Sequence, residues 1–122
     1  MTTQRTVTVP TLDHGDITIP EPDWCTGHQG ARPQYRSDLG HTGAQHHLVY
    51  EGAELGTAML VQDPFVVRAD RSIKVLVELG GDGVSLDPNE LEALAAALVG
   101  YASVLRELAL QLAVLRTEEA SR

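Results

Sequence analysis

Trp24-Cys25-Thr26-Gly27-His28 sets a thiol and an imidazole two residues apart. In such a Cys-x2-His knuckle both side chains converge on one ion across a tight turn, and Gly27 supplies the permissive backbone that the turn asks for. His41, His46 and His47 follow, so four of the five histidines and the only cysteine fall within residues 25–47. His41 and His46 are separated by four residues, which fits the second half of a zinc-finger-like ligand pattern. The expected ligands are Cys25, His28, His41 and His46, with His47 competing for the fourth place, and the expected ion is zinc in a closed tetrahedral site. His14 stands apart, in a turn, and is expected to be simply exposed.

The same residues admit other chemistry. Cys25 and His28 are the members of a nucleophilic pair that Asp38 or Asp23 would orient, although a two-residue spacing suits convergence on a metal better than attack. An open zinc site would keep three protein ligands and a water, with Glu21, Asp23 or Asp38 as general base, but no HExxH-type motif accompanies it. The bland alternative is a set of solvated histidines with Cys25 buried beneath the Trp24 indole. Gly80-Gly81-Asp82-Gly83 lacks the GK[ST] ending of a phosphate loop and the third glycine of a dinucleotide fingerprint, so it reads as a turn.

These side chains need elements to hold them. Residues 6–19 alternate in the strand manner, with Val7 and Val9 set to pair with Ile17 and Ile19 across Asp13-His14-Gly15, a β-hairpin whose first arm Pro10 confines to an edge or a bend. From Pro20 to Gly43 apolar periodicity disappears into Pro, Gly, Asp and His. A loop of about 24 residues is unusual in a compact domain unless something staples it, and a bound metal would supply that constraint. Further strands are expected at 47–51, 55–61 and 73–79. Asp87-Pro88-Asn89-Glu90 then provides an acidic N-cap, a proline at the first helical position and a glutamate at the third, the start of a helix to about Arg116. Leu91, Leu94, Leu98, Tyr101, Leu105, Leu108, Leu112 and Leu115 alternate by three and four, an a/d heptad frame. Small apolar flanks such as Ala95, Ala102 and Ala109 widen the stripe beyond a two-stranded seam, so one side of the helix is expected on the chain's own sheet and the other on a second copy.

Composition narrows the function. Seventeen acidic against nine basic residues leave a net charge of -8, which repels a phosphate backbone and gives no footprint for anionic lipid. Arg32, Arg36, Arg68, Arg71 and Lys74 are the local basic residues a transcriptional regulator would use. The longest weakly polar stretch, Ala93 to Ala102, is about half of the roughly 18 residues a bilayer span needs, and the N-terminus has no signal-like apolar run. A soluble cytoplasmic protein is therefore expected, and Cys25, which has no partner for an internal disulfide, is an inert core thiol, a nucleophile or a metal ligand.

The combination of Trp24-Cys25-x-x-His28, then Asp38-x-x-His41-x-Gly43, then Leu86-Asp87-Pro88 opening an Ala/Leu helix resembles a family of small uncharacterised proteins abundant in Streptomyces and related actinobacteria. Cys25, His28 and His41 match its pattern. The resemblance spans the hairpin to the helix and implies an actinobacterial origin, with no activity attached.

The reading is therefore an α+β single domain over 1–122. It has a small antiparallel sheet, a metal-stapled loop at 20–47 within a β-rich part (1–85), and a long helix (86–122) as dimerisation element. The expected function is a non-enzymatic zinc-binding module for protein–protein interaction, homodimeric and regulatory. The rivals are a zinc-dependent hydrolase and a transcriptional regulator.

Overall fold

The computed structural model of the chain describes residues 4–50, 52–80 and 86–121. It has small antiparallel sheets and one long C-terminal helix, the α+β arrangement expected from the sequence. The chain divides into two compact units, Met1–Ala44 with Leu60–Lys74, and Gln45–Met59 with Val75–Arg122.

The first unit is built on a hairpin of β1 (Thr6–Pro10) and β2 (Asp16–Pro20). Its register pairs Val7 with Ile19 and Val9 with Ile17, as the alternation predicts. The turn closes on Thr11, whose amide and hydroxyl both donate to the Gly15 carbonyl, at 2.8 and 2.6 Å. Gly15 itself adopts a φ of 64°, a conformation that glycine reaches without steric cost. Because side chains alternate in a strand, Val9 and Ile19 share one face and bury there with Leu39, flanked by Val7, Ile17 and Phe65. Each such aliphatic burial contributes about 1.5–3 kcal/mol, and Leu39 alone brings the segment following β2 into this cluster. That segment holds one 3-10 turn (Arg36–Asp38) and a two-residue strand, β3 (His41–Thr42). The β3 residues pair with Gln62 and Val61 at the end of β5 (Ala53–Gln62).

In the second unit β4 (His46–Tyr50) pairs antiparallel with the first part of β5, with a bulge where Leu48 faces Gly56 and Val49 faces Glu54. β6 (Lys74–Leu79) also pairs with β5. Gly56 is required there: a Cβ at this position would lie 2.8 Å from the Leu79 side chain and 2.9 Å from the Glu78 carbonyl. The turn read at 80–83 falls on residues that are mostly outside the described ones.

Helix α1 runs over Pro88–Ala120, four residues past the expected end. Its start is the one the sequence indicates. Asp87 accepts from the Glu90 amide at 2.8 Å and Glu90 accepts from the Asp87 amide at 3.1 Å, a complete capping box with proline at the first turn. Tyr101 and Leu108 are buried against Leu48 and Ala58, with Leu55, Val75, Ala97, Val104 and Leu105 around them. By length and composition alone α1 is long and apolar enough to cross a membrane, where the sequence reading stops at Ala93–Ala102. Its Tyr101–Leu108 face, however, is committed to the strands of its own unit.

Candidate metal centre

Four donor atoms converge in the first unit. Glu21 Oε1 lies 3.0 Å from His41 Nδ1 and 3.1 Å from His28 Nε2, the two imidazole nitrogens are 3.4 Å apart, and Cys25 Sγ is 3.7 Å from His28 Nε2. All four ligand atoms fall within 4.8 Å of one another, and Glu21, Cys25 and His41 are buried. A tetrahedral ion with nitrogen and oxygen bonds near 2.05 Å has ligand–ligand edges of about 3.3 Å, or about 3.6 Å where one ligand is a sulfur at 2.3 Å. The observed separations lie close to those edges. The group is able to hold a metal ion.

The local chain explains the convergence. The Glu21 amide donates to the Arg5 carbonyl at 2.7 Å, extending the β1–β2 ladder by one step and turning the carboxylate inward between Pro20 and Pro22. Arg5 then reaches over the turn, its guanidinium donating to the carbonyls of Pro22 and Cys25 at 3.0 and 3.1 Å. The Cys25 amide closes on the Pro22 carbonyl, and Gly27, at φ 108°, permits the reversal that brings His28 back toward the sulfur. The amide of Thr26 donates to the Thr42 carbonyl at 2.9 Å, which fastens the knuckle to β3 and so to His41. Gly43 completes this docking: a Cβ there would stand 3.2 Å from the Trp24 carbonyl oxygen and 3.3 Å from the Leu60 Cβ. Thus the Trp24-Cys25 and His41-x-Gly43 elements touch each other. The Trp24 ring meets the His41 ring edge-on at 6.3 Å, and His28 meets His41 in the same manner at 5.4 Å.

Electrostatics prepare the donors. Burial opposes ionisation of Glu21, but the hydrogen bond from Cys25 and the neighbouring imidazoles outweigh it and hold the carboxyl below its ordinary pKa. Burial pushes the Cys25 thiol up, helped by its hydrogen bond to Glu21, while backbone N–H groups of Gly27 and Thr42 pull the other way. Burial lowers the pKa of His41, so its ring is neutral near pH 7 with a lone pair to donate. A carboxylate, a neutral imidazole and a proton-bearing thiol face one point.

Cys25, His28 and His41 thus come together as the spacing suggests, whereas His46 does not join them and Glu21 stands in the fourth place. His46 lies in β4 opposite Ala58, and its neighbour His47 is hydrogen-bonded to Glu54. An H-x4-H pair converges on one ion when both members sit in one local turn; here the two histidines open two separate strands, β3 and β4. From the sequence alone Glu21 reads only as a candidate base. The signal available for it as a ligand was its place four residues before Cys25. Asp23 and Asp38, the other candidate bases or orienters, are exposed and outside the group, and His14 is exposed beside Asp13.

A family model described as "Domain of unknown function (DUF6907)" matches residues 6–114. No curated protein and no solved structure matches the chain.

Proposed function

This chain belongs to the DUF6907 family, and since that description carries no activity, we propose from the site itself that the protein is a small zinc-binding module for protein–protein interaction. The observation that carries the reading is the convergence of Glu21, Cys25, His28 and His41. One thiolate and one carboxylate balance the charge of a divalent ion, and mixed sulfur, nitrogen and oxygen donors at tetrahedral spacing suit zinc. Four protein ligands close the coordination sphere, which is the signature of a structural ion. Its work would be to fasten the segment after β2 to β3, where hydrophobic anchors are few.

The interaction role draws on charge and surface. A net charge of -8 disfavours nucleic acid as partner, while Leu98, Val99 and Leu110 on α1 and Val77 and Leu79 on β6 present apolar surface. We read the molecule as a cytoplasmic homodimer, in keeping with a lone thiol in a reducing compartment.

A second reading, an open zinc site that hydrolyses a substrate, is favoured by one observation. His28 lines an open depression of about 250 Å³ together with Arg32, Gln34, Asp38 and Thr42. In that case Glu21 would serve as base and a water would take its place at the metal.

The test is metal analysis of protein purified without added zinc. About one zinc per chain, lost in Cys25→Ser and Glu21→Gln and kept in His46→Ala, supports the structural centre; less than about 0.2 per chain with no effect of Cys25→Ser overturns it. Substituting cobalt separates the two readings. A visible spectrum unmoved by azide belongs to a closed site, and one that shifts belongs to a site with an exchangeable position.

A further inference from the structure

We infer that a second copy of this chain docks on the free edge of β6, antiparallel and centred on Leu76. The inference deepens the homodimer reading above and does not depend on the metal.

β4 and β6 are both bound to the same part of β5. β4 pairs with residues 53–58, while Gly80 following β6 donates its amide to the Leu55 carbonyl at 3.2 Å and Leu79 presses on Gly56. One strand accepts one partner on each side, so β4 and β6 flank β5 and each leaves an outer edge. Among the described residues no strand pairs with the outer edge of β6. Both faces of the strand carry open apolar side chains: Leu76 retains 41% of its surface on one face, and Val77 43% and Leu79 72% on the other. An exposed apolar edge strand is a template for another strand.

The sequence of β6 says which strand fits. Two edge strands related by a two-fold axis and paired antiparallel have that axis normal to the sheet, so residues directly opposite point to the same face. The register must then be centred on a residue. Centred on Leu76, Lys74 of one copy stands opposite Glu78 of the other, twice by symmetry, Val75 stands opposite Val77, and Leu76 meets itself. Centring on Lys74 or on Glu78 stacks like charges. Centring on Val75 or Val77 leaves both charges without an opposite charge across the strand. Only the Leu76 register is complementary in charge and in apolar character together. The exposed face of α1 also offers apolar side chains, but nothing on it specifies a mate in this way.

The test is the mass of the full chain in solution, read with charge reversal and cross-linking. The wild type should give about twice 13.2 kDa. Lys74→Glu and Glu78→Lys should each weaken dimerisation about tenfold or more, and the double variant should recover to within about threefold of wild type. Lys74 pairs only loosely with Asp70, at 3.8 Å and in solvent, so its reversal leaves the protomer's fold intact. Opposed residues in an antiparallel pair lie within disulfide reach, so Leu76→Cys should cross-link to a chain dimer under mild oxidation while Lys74→Cys does not. A dimer indifferent to both reversals but lost in Leu98→Asp would seat the second copy on α1. A monomer at high micromolar concentration would remove the homodimer reading altogether. Either result overturns the proposal, and Cys25→Ser in the same assay keeps it separate from the metal centre.

Discussion

Glu21 and His41 share a buried contact, Oε1 to Nδ1 at 3.0 Å, although they are twenty positions apart and only one of them belongs to a recognisable ligand motif. Both side chains are almost wholly excluded from water, at 4% and 3% exposure. Burial alone penalises a carboxylate there; the hydrogen bond from Cys25 and the two imidazoles outweigh that penalty, and a divalent ion would add to their effect. Glu21→Gln keeps the shape and removes the charge. Since altering a group that merely orients a ligand costs 10–100-fold in affinity, losing this one should weaken zinc by more than about 100-fold, and His46→Ala by less than threefold. Competition with a chromophoric chelator measures both. Equal effects of the two substitutions would remove Glu21 from the ligand set.

Zinc uptake should release protons, and the pKa directions say how many. Cys25 is raised, so at pH 7.5 it carries its proton; Glu21 is lowered and already ionised; His41 is lowered and already neutral. The thiol alone among these three must lose a proton to bind. Calorimetry in buffers of different ionisation enthalpy should therefore report about one proton per zinc, and affinity should rise about tenfold per pH unit between pH 7 and 8. A pH-independent affinity over that range would mean that Cys25 does not ligate as thiolate.

Gly43→Ala should loosen the centre without touching a ligand. The new methyl would meet the Trp24 carbonyl at 3.2 Å and Leu60 at 3.3 Å, and a backbone atom cannot swing aside as a side-chain end can. Relief must come from moving the strand that carries His41 away from the turn that carries Cys25. The expected cost is about 1–3 kcal/mol of stability, with a parallel loss of zinc affinity. Thermal melts with and without chelator should show the difference between variant and wild type shrinking once the metal is gone.

What the sequence made legible follows from the range of the forces involved. The Asp87–Glu90 capping box and the Val7–Ile19, Val9–Ile17 register are set by neighbours a few residues away and read directly from the chain. The Cys25–His28 knuckle is equally local. His41 joins it through the Thr26–Thr42 hydrogen bond and the Trp24–Gly43 contact, which no spacing rule encodes. Glu21 is the hardest to foresee, because a carboxylate between two prolines reads as a solvated loop. Its inward turn depends on the Arg5 carbonyl, sixteen residues back, and on a hairpin register carried one step past its last pair.

The heptad frame on α1 is unevenly buried. Eight positions in the frame are alike in sequence, yet Tyr101 and Leu108 are buried, Leu105 and Leu112 partly so, and Leu91 and Leu98 remain about half exposed. A straight helix of 3.6 residues per turn drifts about 20° per heptad against a 3.5-residue repeat. The series Leu91, Leu98, Leu105, Leu112 thus turns from exposed to partly buried along the helix, while Leu94, Tyr101, Leu108, Leu115 passes through its most buried point at the middle pair. Leu108→Ala, at 3% exposure, should cost about 2–5 kcal/mol, and Leu110→Ala, two residues on at 71%, no more than about 0.5 kcal/mol. Denaturant unfolding of both variants measures the contrast. Comparable losses would mean that the Leu110 face is covered too, and would move the search for the second copy from the edge of β6 to the helix.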